Sequence, residues 1–152
     1  MDSIVGRALV RLLLVPLGYF FAVLAGTLVI VIGAWKLGRP PPGEESLALL
    51  AIALAAPFLL LHLLYVMWLP AAIGVLVAEA FAVRAWIYHA GNGAASAWVA
   101  WRLLGEPEPI PLDQPATVIA AGLAGGLAYW LIAGRNAGLW PPPAVAPGPS
   151  IR

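Results

Sequence analysis

The side chains able to do chemistry are few, so each can be weighed on its own. His62 and His89 are the only imidazoles. Histidine pairs between membrane helices can hold haem iron or another metal. Once the helices are assigned as below, His62 lies about 20 residues, roughly 30 Å, above the inner end of its helix, and His89 only about 8 Å above the inner end of its own. Two such side chains cannot grip one metal. The simpler expectation is that each bonds to a neighbouring carbonyl, to Tyr65 or Ser96, or to water. Glu79 and Arg84 stand five positions apart. They form either a relay for a proton or ion, or a turn-capping pair at the membrane surface worth about 0–1 kcal/mol. The cap is the expected role. Asn92, flanked by Gly91 and Gly93, falls near the middle of an apolar run, where its amide needs partners. It is expected to cross-link helices, with a substrate contact as the lesser reading. Glu79, Arg84, His89 and Asn92 together make a candidate polar path.

No Ser-His-Asp set, metal-spaced acidic cluster or phosphate loop can be assembled, so catalysis, a cofactor and a metal are not expected. Cysteine is absent, which removes thiolate sites and disulfides. The net charge of +1 provides no basic field for nucleic acid.

The elements that position these residues follow from composition. Of 152 residues, 62% are hydrophobic and 10% charged, against roughly 25% charged in soluble domains. Too little polar surface remains to cover a water-soluble particle, so the chain reads as an all-α integral membrane protein. Because a charge at mid-bilayer costs at least about 2.5 kcal/mol, the gaps between charges measure the spans. Between Arg11 and Lys36 lie 24 uncharged residues, roughly 36 Å of helix, enough to cross an approximately 30 Å core. This run exceeds a secretory h-region and reads as an uncleaved anchor.

Gly38 to Gly43 break the helix, and Glu44, Glu45 and Ser46 can start the next. The uncharged stretch from Ser46 to Ala78 is 33 residues, roughly 50 Å, too long for one simple span and too short for two. One solution is a long second helix over 47–82 whose membrane part is 58–82, bent at Pro57 and kinked at Pro70, with Glu79 and Arg84 bracketing a surface turn. The rival turns at Trp68 to Pro70 and leaves Glu79 near mid-bilayer. Under the first solution a third span covers 84–104, with Trp86, Tyr88, Trp98 and Trp101 as interfacial aromatics and Arg102 snorkelling. Glu106 to Pro115 forms an acidic, proline-spaced exposed connector. A fourth span over 116–134 follows, with Arg135 suited to its C-terminus and Gly138 able to stop it. The expected organisation is a transmembrane four-helix bundle over 1–138, starting with a span at 11–36, and a proline-rich disordered tail over 139–152.

Side one of this layout carries Arg7, Arg11, Arg84, Arg135 and Arg152, and side two Lys36, Arg39 and Arg102. The excess places both termini in the cytoplasm. Small residues recur where helices should touch: Gly18, Ala22 and Gly26 in span one, Gly91 and Gly93 in span three, and Gly122 and Gly126 in span four. Such rows let backbones approach in lipid. Their plain use is packing within one chain, with a homo-oligomer or another membrane protein as the wider partner beside the bilayer.

The run Ala78-Glu79-Ala80-Phe81, nearby Arg84, the small residues of Ala90 to Ala95, and Ala121 to Gly126 followed by Tyr129-Trp130 and Ala133-Gly134-Arg135-Asn136-Ala137-Gly138 resemble a group of small uncharacterised inner-membrane proteins of alphaproteobacteria. The resemblance covers about the last half of the chain. It implies a bacterial inner membrane and a four-span layout, and carries over no catalytic residue. The functional expectation is a non-enzymatic accessory, scaffold or assembly partner acting through helix packing. The alternative is a small transporter or channel subunit using the polar path.

Overall fold

The structure, a computed structural model, describes residues 4–104 and 115–138. Among them the chain forms four α-helices and no strand: α1 Ile4–Leu37, α2 Glu45–Ala80, α3 Trp86–Leu104 and α4 Pro115–Ile132, followed by a 3₁₀ turn over Gly134–Asn136. The expected connector over 106–115 falls almost wholly, and the expected tail over 139–152 wholly, outside the described residues. Three helices, α1, α2 and α4, are long and apolar enough to cross a membrane. The third, α3, interrupts its apolar run with His89, Asn92, Ser96 and Arg102.

The α1–α2 connection is short because Pro40, Pro41 and Pro42 forbid helix and Gly43 takes a left-handed φ of 94° that favours glycine. Glu44 occupies the N-cap of α2 without a side-chain bond there, and Glu45 places its charge in the first turn, where the helix dipole favours an anion. The helix assignment of α2 then runs through both Pro57 and Pro70. The rival turn at Trp68 to Pro70 is thereby overturned, since those residues are helical. Glu79 is the penultimate residue of α2, not a mid-helix charge.

The end of α2 is built tightly. Phe81 N–H donates to the Val77 carbonyl and Val83 N–H to the Ala78 carbonyl at 2.9 Å, around Ala82 at φ 51°. This is a Schellman closure with alanine where glycine is the usual occupant.

Close approaches fix the helix order. α4 lies antiparallel against α1: Gly18 meets Tyr129 and Ala133, Gly26 meets the Ala121 carbonyl, and Gly33 meets Thr117. Its other side lies antiparallel against α3, where Gly93 sits on Gly122 and Gly126 on the His89 carbonyl. A methyl on Gly122 would stand 2.5 Å from the Gly93 carbonyl and 2.7 Å from Ala94 Cα. Only hydrogen fits, so the two backbones touch. α2 closes the remaining side more loosely. Tyr19 of α1 donates its hydroxyl to the Leu64 carbonyl at 2.8 Å, and Tyr88 of α3 donates to the Gly74 carbonyl at 2.8 Å.

Candidate functional site

At the end of the molecule where α1 and α3 begin and α2 and α4 finish, four ionisable or hydroxyl side chains are buried together. Arg11 and Glu79 are each 7% exposed, Tyr129 5% and His89 2%. Arg11 lies two turns inside α1, and its Nη1 donates to the Ala133 carbonyl at 2.6 Å while standing 3.3 Å from Glu79 Oε1. The other carboxylate oxygen of Glu79 accepts from the Gly138 N–H at 2.9 Å. Glu79 thereby joins α1 to the segment after α4.

That segment corrects an expectation. α4 ends at Ile132, so Gly138 does not stop it; its left-handed φ of 121° instead turns an N–H onto Glu79. Arg135 is exposed within the 3₁₀ turn. The expected Glu79 and Arg84 cap is likewise replaced. The carboxylate belongs to Arg11, while Arg84 is exposed, donates Nε to the Ala137 carbonyl at 2.9 Å and receives Trp130 Nε1 on its own carbonyl at 2.8 Å.

His89 Nε2 faces the Val83 carbonyl at 3.0 Å. A carbonyl can only accept, so that nitrogen carries the proton and Nδ1 of the neutral ring is an acceptor. The rings of His89 and Tyr129 lie side by side, centroids 5.4 Å apart. Four buried atoms of this cluster make no hydrogen bond: Arg11 Nη2, Glu79 Oε1, His89 Nδ1 and the Tyr129 hydroxyl. Such a concentration is unusual, because nearly all buried polar groups in folded proteins are satisfied.

From this cluster a partly open cavity of about 90 Å³ runs between all four helices. His89 and Tyr129 stand in its wall, and Asn92 and Ser96 follow along α3. Beyond them Ala97, Ala100, Trp101, Ile30 and Val118 make the wall apolar. Asn92 also presses its amide against Gly74, where a methyl would collide with it, so it packs α3 onto α2 as well as facing the cavity.

Of the candidate path, then, Glu79 and His89 share the buried cluster, Asn92 lies one turn further along the cavity, and Arg84 stands outside. His62 is exposed on α2, about 25 Å along that helix from Glu79. It does not meet His89. Among the small residues, Gly18, Gly26, Gly93, Gly122 and Gly126 sit at helix contacts, and Ala22 presents its carbonyl 2.8 Å from where a methyl on Gly125 would stand. Gly91 differs: it is exposed, with open space around it.

Arg11, Tyr129 and Gly138 were not among the expected site residues. One signal could have found Arg11. Antiparallel helices bring the start of the first and the end of the second to the same membrane face, where Glu79 needs a cation. Compared with known proteins, the chain matches no protein family, no curated protein and no solved structure.

Proposed function

We propose that this chain is a non-enzymatic, multi-pass membrane protein, a four-helix bundle in a bacterial inner membrane, that serves as an accessory or assembly partner by offering α2 to another transmembrane helix. The observation that carries this reading is the uncovered apolar length of α2. Leu47, Leu50, Leu54, Phe58, Leu61, Tyr65, Trp68 and Leu69 are all exposed. Hiding an uncharged stretch of roughly 50 Å in a 30 Å core would need a tilt of about 53°, beyond the 0–40° of known spans. Lipid alone leaves part of this surface in the headgroups or water, whereas a partner helix covers it.

The reading treats α3 as a fourth span because its polar groups turn inward. Ile87, Gly91, Ala95 and Val99 form its exposed row, while His89, Ser96, Ala97 and Ala100 are buried. Lipid therefore meets an apolar stripe despite the modest overall apolarity. The surplus of Lys and Arg on the side of the buried cluster favours cytoplasmic termini.

Native mass spectrometry from gentle detergent tests the proposal. A dimer or a stoichiometric complex with another membrane protein supports it, and a strictly monomeric chain with nothing attached contradicts it. The transporter alternative draws support from His89 and Asn92 lining one cavity, with Glu79 buried at its polar end. It is the weaker reading, because the cavity wall beyond Ser96 is apolar and gives an ion no partners. Liposome flux that falls in Glu79→Gln or Asn92→Ala would restore it.

A further inference from the structure

We infer that the helix seated on α2 is the α2 of a second copy of this chain, running parallel to it, with the Tyr65 hydroxyl of each copy donating to the His62 ring of the other. The inference rests on the proposed reading of α2 as a docking face and names its occupant.

Depth comes first. His62 stands 17 residues from Glu45 and 17 from Glu79, about 25 Å of helix in each direction. A crossing takes about 20 residues, and every window of that length within the 33 uncharged residues from Ser46 to Ala78 contains both His62 and Tyr65. Wherever the membrane lies along α2, both side chains fall within its thickness.

Direction comes next. Ala71, nine residues and so about half a turn round from His62, lines the central cavity, as do Met67 and Val75. His62 accordingly faces away from the bundle, and it and Tyr65 are exposed, Tyr65 to 76%. Neither makes a side-chain hydrogen bond among the described residues. Ionisable side chains within a membrane almost always face protein or a water-filled cavity, and lipid tails offer these two no partner.

Whatever satisfies them must bring an acceptor level with Tyr65 and a donor level with His62. A second copy does both. Residues three apart on a helix are neighbours on one face, so a two-fold axis along the membrane normal sets the His62 of each copy beside the Tyr65 of the other. A neutral imidazole has one acceptor nitrogen and a phenol one donor hydrogen, and the same rotation makes the contact twice. Leu47, Ala51, Leu54, Phe58 and Leu69 continue this exposed row in steps of three and four residues and supply its apolar contacts. The α1–α2 connection fits the same symmetry. Lys36, Arg39, Glu44 and Glu45 are exposed there and form no ion pair among the described residues. Two cations and two anions beside a two-fold axis are self-complementary, those of one copy facing the opposite charges of the other.

The test uses the full chain, which has no native cysteine, labelled through Arg135→Cys with either a donor or an acceptor dye. Energy transfer in phosphatidylcholine vesicles, followed as lipid is added to dilute the protein, measures the association. Transfer that fits a dimer is expected. His62→Leu and Tyr65→Phe should each weaken it about five- to thirtyfold, and the double variant no further than either single one. His62→Gln, which keeps an acceptor at that height, should recover most of the loss. Both side chains are exposed and unbonded within the chain, so the melting temperature of the detergent-dissociated monomer should not move. Phe58→Cys should form a disulfide-linked dimer on mild oxidation, and Leu123→Cys on the exposed side of α4 should not. Transfer no greater than random proximity, or no effect of either His62→Leu or Tyr65→Phe, overturns the inference, and additive losses overturn the contact between these two residues. If copies stay apart while native mass spectrometry finds a different membrane protein bound through α2, only the identity of the occupant falls. A chain with nothing attached removes the docking reading as well.

Discussion

A single ion pair organises the residue scale. Arg11 and Glu79 are buried with 3.3 Å between them, and the loss of either leaves the other charged and unpaired. Glu79→Ala should therefore cost about 3–5 kcal/mol of stability, whereas Arg11→Met combined with Glu79→Leu should recover most of it, since a buried pair replaced by apolar groups is often neutral. Reversible unfolding in mixed micelles measures both, and additivity of Arg11→Met and Glu79→Leu, each measured alone, would contradict the pairing. Nearby, Gly138 combines a φ of 121° with an N–H committed to Glu79, and a methyl there would stand 2.8 Å from Ala82 Cβ. Gly138→Ala should cost about 1–3 kcal/mol by the same assay.

The sequence pointed to Glu79 and His89 and missed their companions for a physical reason. Charges served as markers of depth along a helix, and Glu79 is one residue from the end of α2. Depth says nothing of direction, and a charge at a helix end can turn inward if a partner waits there. Arg84, five residues on, was the nearer candidate in sequence but lies across a tight turn that points it to the Ala137 carbonyl. Tyr129 carried no sign that its hydroxyl would be buried, since tyrosines near span ends ordinarily face the interface.

Among the elements, the small-residue rows show what periodicity can and cannot resolve. The spacing of Gly93, Gly122 and Gly126 anticipated contact, and at these positions α3 and α4 meet backbone to backbone. Gly91 belongs to the same cluster in sequence yet faces outward, because two residues along a helix turn a side chain through about 200°. The pair gives a sharp contrast. Gly93→Ala should destabilise by about 1–3 kcal/mol through forced separation of α3 and α4, and Gly91→Ala should stabilise by about 0.5–1 kcal/mol as an ordinary helix-interior replacement. Parallel thermal melts of the two variants check this, and shifts of the same sign would mean that the α3 face is misassigned.

The end of α2 gives a milder case. Ala82 holds φ 51° in the position that closes the helix, where glycine would avoid the strain of a Cβ. Ala82→Gly should raise stability by about 0.5–1 kcal/mol. A lower melting temperature would show that its methyl contact with Gly138 outweighs that strain.

For the whole molecule, composition indicated an all-helical chain suited to lipid, and the structure is all-helical among the described residues with three helices apolar and long enough to span. The arithmetic of uncharged lengths also marks α2 as anomalous. Left illegible was which of its faces would be covered. An apolar run without polar residues has no marked side, so contacts such as those from Tyr19, Tyr88 and Asn92 on neighbouring helices identify it. The outer face of α2 stays bare, and the proposed role rests there.

Photocrosslinking from that face tests the role most directly. The chain has no native cysteine, so a benzophenone maleimide can be attached in intact membranes at Leu54→Cys or Phe58→Cys, both on exposed positions of α2. If α2 seats a partner helix, a protein adduct of one defined mass forms at these sites and none from Arg135→Cys in the exposed 3₁₀ turn. Adducts to lipid alone at both α2 positions would contradict it.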